Sequence, residues 1–176
     1  MEVDSTSGET MTDRRDAPNL TIRPADADDV PVILGLIREL ADYEKMSNEV
    51  VASEESLKAS LFGDRRVAEV LIGELDGAAV TFAVFFHNFS TFLGRHGLYL
   101  EDLYVKPEHR GKGFGRAMLS RLAQIAVERH CGRLEWAVLD WNEPAIGFYR
   151  KLGAVPMDEW TVFRITGQPL RKLAGN

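Results

Sequence analysis

The sequence predicts a single mixed α/β domain over residues 19–176, and three observations lead there. Apolar residues recur at helical spacing in three well-separated stretches. Between the first two of these, three segments rich in β-branched and aromatic residues follow one another across short turns. A glycine-rich hexapeptide, Arg110-Gly111-Lys112-Gly113-Phe114-Gly115, then joins the last such segment to an amphipathic helix. The expected order is β-α-α-β-β-β-α-β-α-β. With 176 residues, 45% of them hydrophobic, the chain can bury one sizeable core, and no internal repeat is visible.

Residues 1–18 hold almost no large apolar side chain and are expected to form a disordered tail. Leu20-Thr21-Ile22 reads as a short strand stopped by Pro24, and Asp26 as the cap of a helix that tolerates Pro31 in its first turns. Val30, Ile33, Ile37, Leu40 and Tyr43 form its stripe, and a weaker helix is expected over about 53–62. Val67 to Leu75, Ala79 to His87 and Leu98 to Val105 read as three antiparallel strands, punctuated by Asp76-Gly77 and by Gly94 to Gly97. Pro107 ends the third. From Gly113 to about His130, Phe114, Met118, Leu122, Ile125 and Ala126 make one helical stripe. Leu134 to Leu139 reads as a buried strand. Asn142 caps a helix with Pro144 in its first turn, the stripe Ala145, Phe148, Tyr149, Leu152 and a stop at Gly153. A last strand is expected over Thr161 to Ile165.

Charge and composition narrow the function. The net charge is −6, of which the first nineteen residues supply half. The remainder is only mildly acidic and has no clustered basic surface, so nucleic acid is not an expected partner. No apolar run is long enough to span a bilayer, and the polar N-terminus has no signal-like apolar core. Cys131 is the only cysteine, which fits a reducing compartment; the expectation is a cytoplasmic protein with no membrane partner. His87, His96, His109 and His130 show no metal-ligand spacing, so no metal is expected.

The chemistry concentrates at Arg110 to Arg116. Alternating glycines let the backbone turn several N–H groups into one concavity, and the helix N-terminus adds its positive dipole end, which together suit a pyrophosphate. Arg110 and Lys112 would add charge at the rim. A Walker A loop is excluded because no Lys-Ser/Thr pair follows at the required spacing, and a dinucleotide fingerprint because Arg116 stands where a third glycine belongs. The competing reading is a glycine-rich turn that merely permits tight packing.

Arg110 to Gly115, with Pro107 just before it, resembles the [Arg/Gln]-x-x-Gly-x-[Gly/Ala] signature of the GNAT superfamily of N-acetyltransferases. Leu98-Tyr99-Leu100-Glu101-Asp102, Trp141-Asn142-Glu143-Pro144, Phe148-Tyr149 and Ala41-Asp42-Tyr43-Glu44 are together similar to the spermidine/spermine N-acetyltransferase subfamily, which includes diamine and thialysine acetyltransferases. The resemblance covers about residues 20–173. It implies a sheet whose central strands splay apart to admit acetyl-CoA. The pantetheine arm would pair with backbone along Leu103, Tyr104 and Val105, and Gly111, Lys112, Gly113, Phe114, Gly115 and Arg116 would cradle the pyrophosphate. Asn142 would contact the cofactor, and a homodimer is implied.

On that resemblance Glu101 is the base that takes the amine proton. An alkyl amine of pKa about 10.4 is neutral in only roughly one molecule in a few thousand at pH 7, so a proton acceptor helps. The alternative for Glu101 and Asp102 is a pair of carboxylates pointing to solvent at a bulge or strand end. Tyr149 is the implied acid for the departing CoA thiolate, against the alternative of a packed core tyrosine; a phenol near 10 and a thiol near 8.5 differ by roughly 2 kcal/mol. Tyr43, Glu44, Asp102 and Glu135 match positions lining the amine site, although the subfamily often carries histidine in place of Glu135. Asp158 and Glu159 lie in a turn shorter than the subfamily's and are not assigned. Cys131 follows a helix end with no arranged base and reads as unreactive. The leading expectation is direct acetylation of a primary amine on a small diamine or polyamine. Acetylation of lysine or thialysine is the runner-up, and a non-catalytic acetyl-CoA-binding module the alternative of a different class.

Overall fold

The computed structural model describes residues 19–175, so the tail expected over 1–18 lies outside them. The chain divides into two compact units after Ala137.

The first unit is built on a five-stranded sheet in the order β1-β2-β3-β4-β5. The strands are β1 (Thr21–Pro24), β2 (Glu69–Leu75), β3 (Ala78–Ser90), β4 (Arg95–Val105) and β5 (Leu134–Trp136), all antiparallel except the β4–β5 pair. Its helices are α1 (Val30–Tyr43), α2 (Glu54–Phe62) and α3 (Phe114–Glu128). Asp26 caps a 3-10 turn over Ala27–Asp29 that runs into α1, accepting from the Asp28 N–H at 2.9 Å. Arg23 on β1 clamps this turn to the sheet through Asp29 at 2.7 and 2.8 Å and Glu74 at 2.7 Å. Asp29 is held below the usual carboxylate range by that guanidinium.

Register explains the layering. Ile72, Phe82 and Tyr104 are cross-strand partners and bury their side chains with Ile33, Leu36, Leu40 and Leu61 of α1 and α2. The alternate positions face the other way. A Cβ on Gly73 would stand 3.4 Å from Met118 Sδ, so α3 covers the opposite face. Phe114, Met118 and Leu122, the predicted stripe of α3, are essentially inaccessible.

The β3–β4 hairpin is longer than expected. Its ladder continues to Ser90↔Arg95, and Gly97, predicted to lie in the turn, is a strand residue opposite Asn88. There the lack of a side chain matters, since a Cβ would come within 2.5 Å of Asn88 Oδ1. β5 is shorter than expected and stops at Trp136.

The second unit holds α4 (Glu143–Lys151) and α5 (Gly167–Leu173). Asn142 caps α4 as predicted, accepting from the Ala145 N–H at 3.3 Å, and Gly153 closes it at φ 87°. The strand expected over Thr161 to Ile165 is corrected: the segment has no ladder partner among the described residues, and Val162 and Phe163 are 84% and 92% exposed. β-branched composition alone does not make a strand without a neighbour to pair with. The chain instead ends on α5, whose signals were Pro169 in the first turn and Arg171 and Lys172 in the last.

Candidate active site

The decisive local feature is a bulge in β4. Asp102 pairs with Val84 and Leu100 with Phe85, so Glu101 is an extra residue with no partner on β3. The bulge reverses the phase of the strand. Before it, the Leu98 backbone turns toward β5, its N–H donating to the Arg133 carbonyl at 2.9 Å. After it, the Lys106 N–H donates to the Val80 carbonyl on β3 at 3.0 Å, so by alternation Leu103 and Val105 turn their backbone groups away from β3. That edge has no strand along it among the described residues, because the β4–β5 ladder ends at Leu100↔Trp136. The expected divergence of the central strands therefore begins at the residue where Glu101 bulges out.

Side chains gather acidic character at the same place. Asp102 lies on the α1/α2 face, beyond the end of α1. Burial foremost, then the carboxylates of Glu101 and Glu44, push its carboxyl up to about 6. Glu44, which follows α1, is half-buried and also raised by burial. Glu101 itself is exposed. Tyr43 ends α1 under the Arg110 guanidinium, 4.2 Å from its ring centroid, and the Tyr104 ring lies 5.6 Å from the same group. The Arg110 Nε donates to the Val105 carbonyl at 3.0 Å. The structure thus brings Tyr43, Glu44, Asp102, Tyr104, Val105 and Arg110 together.

Glu135 sits farther along, opposite Tyr99, and its Oε2 accepts from Asn88 Nδ2 at 2.8 Å and pairs with Arg133 Nε at 2.7 Å. Asn88 and Arg133 went unnoticed in the sequence. Arg133, just before β5, and Glu135 stand at i, i+2 in extended chain, a spacing that could have shown the pair. Burial, and the charges of Glu101 and Glu135, push the Tyr99 phenol up.

The glycine loop has the backbone the motif requires. Gly111 and Gly113 take φ of 75° and 87°, in the left-handed region open to glycine, and a Cβ on Gly111 would meet nothing within 4 Å. Gly113 is the N-cap of α3 and, as a glycine, offers no side-chain cap to its first N–H groups. Lys112 and Arg116 are exposed, with Lys112 Nζ 3.5 Å from His109 Nδ1. Phe114 is buried and can offer only backbone.

The acetyltransferase (GNAT) family matches residues 36–154. The chain belongs to the GNAT family. It is an acetyltransferase, and enzymes of this family draw the acetyl group from acetyl-CoA. A thialysine N-epsilon-acetyltransferase of Bos taurus is 44% identical over 165 residues, covering 88% of this chain and 96% of the bovine protein. An L-ornithine N5-acetyltransferase of Arabidopsis thaliana is 30% identical and covers 86% of each chain. Among solved structures, an integron cassette protein of V. cholerae superimposes with a TM-score of 0.77 at 28% identity, over 90% of this chain and 99% of that one. In this GNAT chain Asn142 and Tyr149 belong to the second unit, where Tyr149 lies on α4 with its ring 5.3 Å from that of Phe148.

Proposed function

We propose that the chain transfers acetyl from acetyl-CoA to a terminal primary amine of a small molecule carrying a second amine. The observation that carries this is the Glu101 bulge, which puts a carboxylate cluster at the head of an unpaired strand edge leading into the glycine loop. Along that edge the pantetheine amides pair with Leu103, Tyr104 and Val105, in the manner of an added strand. The pyrophosphate then rests on the N–H groups of Gly111, Lys112, Gly113, Phe114, Gly115 and Arg116. Arg110 now holds the Val105 carbonyl that the pantetheine arm needs. Cofactor binding displaces it and frees its charge for the phosphates.

Glu101 takes the proton from the attacking amine, directly or through water, as the nitrogen bonds to the acetyl carbonyl carbon. Tyr149 protonates the departing thiolate, and Asn142 holds the cofactor nearby. No metal enters this transfer. Asp102, Glu44 and Tyr43 receive the second ammonium of the substrate. Glu135 is the weaker contributor, since Asn88 and Arg133 already engage it. The names of the bovine and Arabidopsis relatives move the weight from plain diamines to the side-chain amine of a lysine-like amino acid. We further infer a homodimer, on the subfamily resemblance, and a cytoplasmic protein without nucleic-acid or membrane partners. No helix of the described residues is long and apolar enough to cross a membrane.

The test is CoA release across an amine panel. Thialysine and lysine should turn over fastest, diamines of equal length next, and monoamines at least ~10-fold slower, the scale of one charge-assisted hydrogen bond. Equal turnover of diamine and monoamine would remove the second-ammonium site. Binding of acetyl-CoA with no thiol release for any amine would make the chain a binding module.

A further inference from the structure

At the other end of β4 the fold assembles a group with no sequence spacing to announce it. One ring nitrogen each of His87 and His96 and the Cys131 thiol lie within 4.8 Å of one another. His87 pairs with Leu98 and His96 with Phe89, so the two histidines are diagonal neighbours on one face of the hairpin, with rings 5.1 Å apart. Cys131 arrives from a third element. His130 takes φ 55° just past α3, and the turn folds back so that the Gly132 N–H donates to the His96 carbonyl at 2.8 Å. Backbone thus fixes the cysteine against the strand that carries His96.

We propose that His87, His96 and Cys131 form a site for a zinc-class divalent cation, which clips the β3–β4 hairpin to the end of α3. The donor set is two imidazoles and one thiol, the mixed nitrogen and sulfur chemistry that selects zinc over magnesium or calcium. His96 already has the outer contact that metal-bound imidazoles use. Its Nε2 lies 2.8 Å from the Arg129 carbonyl, which can only accept, so Nε2 carries the proton and Nδ1 keeps the lone pair. Arg129, whose carbonyl His96 engages, is itself held by both oxygens of Glu69, which answers its charge. Three protein ligands leave a fourth position for water, on the side where His87 is exposed. The site is separate from the acetyl-transfer chemistry. Five residue steps along the strand separate His96 from Glu101, about 16 Å.

Cobalt titration of the untagged, metal-free full chain tests this. One equivalent should bind and give a thiolate-to-cobalt charge-transfer band that zinc displaces. Cys131→Ser should lose the band, and His87→Ala and His96→Ala should each weaken uptake at least ~10-fold, whereas His109→Ala should leave it unchanged. Zinc should raise the Tm of the parent chain and not of the three variants, a readout independent of turnover. One-equivalent uptake by the parent chain without a thiolate band, or unchanged uptake in His87→Ala and His96→Ala, would overturn the site. So would uptake by the parent chain only at many equivalents, as exposed imidazoles give.

Discussion

The two ends of β4 are built from the same strand yet collect opposite chemistry. At the bulge, the exposed Glu101 stands with the half-buried Asp102 and Glu44, and burial foremost keeps the Asp102 proton on up to about pH 6. Near the hairpin, His87, His96 and Cys131 gather instead, and burial pushes the His87 imidazole down and the Cys131 thiol up. Desolvation acts at both ends and in each case favours the neutral form. At neutral pH the first end is nonetheless ionised, and a cationic amine would relieve the repulsion among its carboxylates; the second end sets soft donors facing one another. The bulge separates the two by reversing which backbone groups of β4 are free.

The largest expected effects belong to the acidic end and its partners. Glu101→Gln should lower kcat/KM by ~10²-fold or more at neutral pH, with partial recovery as rising pH deprotonates the amine in solution. A pH-independent loss would instead mark a binding role. Tyr149→Phe should lower kcat by ~10²-fold while acetyl-CoA affinity survives, because the ring is kept. Wild-type kcat in that variant would return Tyr149 to packing.

Next in size is the cofactor loop. Gly113→Asp forces a side chain to φ 87° and sets a negative charge where the pyrophosphate lies. Acetyl-CoA affinity should fall at least ~10-fold, the scale of one charge-assisted contact turned repulsive, while the left-handed angle costs stability by roughly 1–2 kcal/mol. Unchanged affinity by calorimetry would sink the cradle.

Asp102 and Glu69 sharpen the comparison through stability. The Asp102 pKa is raised on folding, so the folded state holds more protons than the unfolded one between about 4 and 6. Lowering the pH from 7 to 5 should therefore stabilise the protein, and Asp102→Asn should be more stable at pH 7 by about 1–3 kcal/mol and lose that pH dependence. Denaturant melts at the two pH values check this. Glu69 behaves oppositely: the Arg129 guanidinium holds its carboxyl below the usual range. Its stabilisation is present above pH 4–5 and is lost as pH falls through the lowered pKa. The pair is partly exposed, so Glu69→Gln should cost under ~1 kcal/mol at pH 7.

Contiguous features were legible before any coordinates. The α3 stripe, the Asn142 cap and the glycine loop each depend on residues within one turn or one helix, so local sequence carries them. The same holds for Glu101-Asp102, two acids inside an apolar strand, and for Arg110 to Gly115, where Gly111 and Gly113 take the left-handed angles that only glycine adopts cheaply.

What the sequence by itself determined is therefore the α/β class, the family and a short list of acids and glycines, because each rests on near-neighbour geometry. Only the tertiary structure decided that Glu101 is the bulged residue, that β5 stops at Trp136, and that segment 161–165 has no strand partner among the described residues. It alone decided that His87, His96 and Cys131 meet. Those outcomes turn on strand register and on where a neighbouring element ends. A one-residue shift in register reverses every side chain and every backbone donor, and no local pattern in this chain specifies that shift.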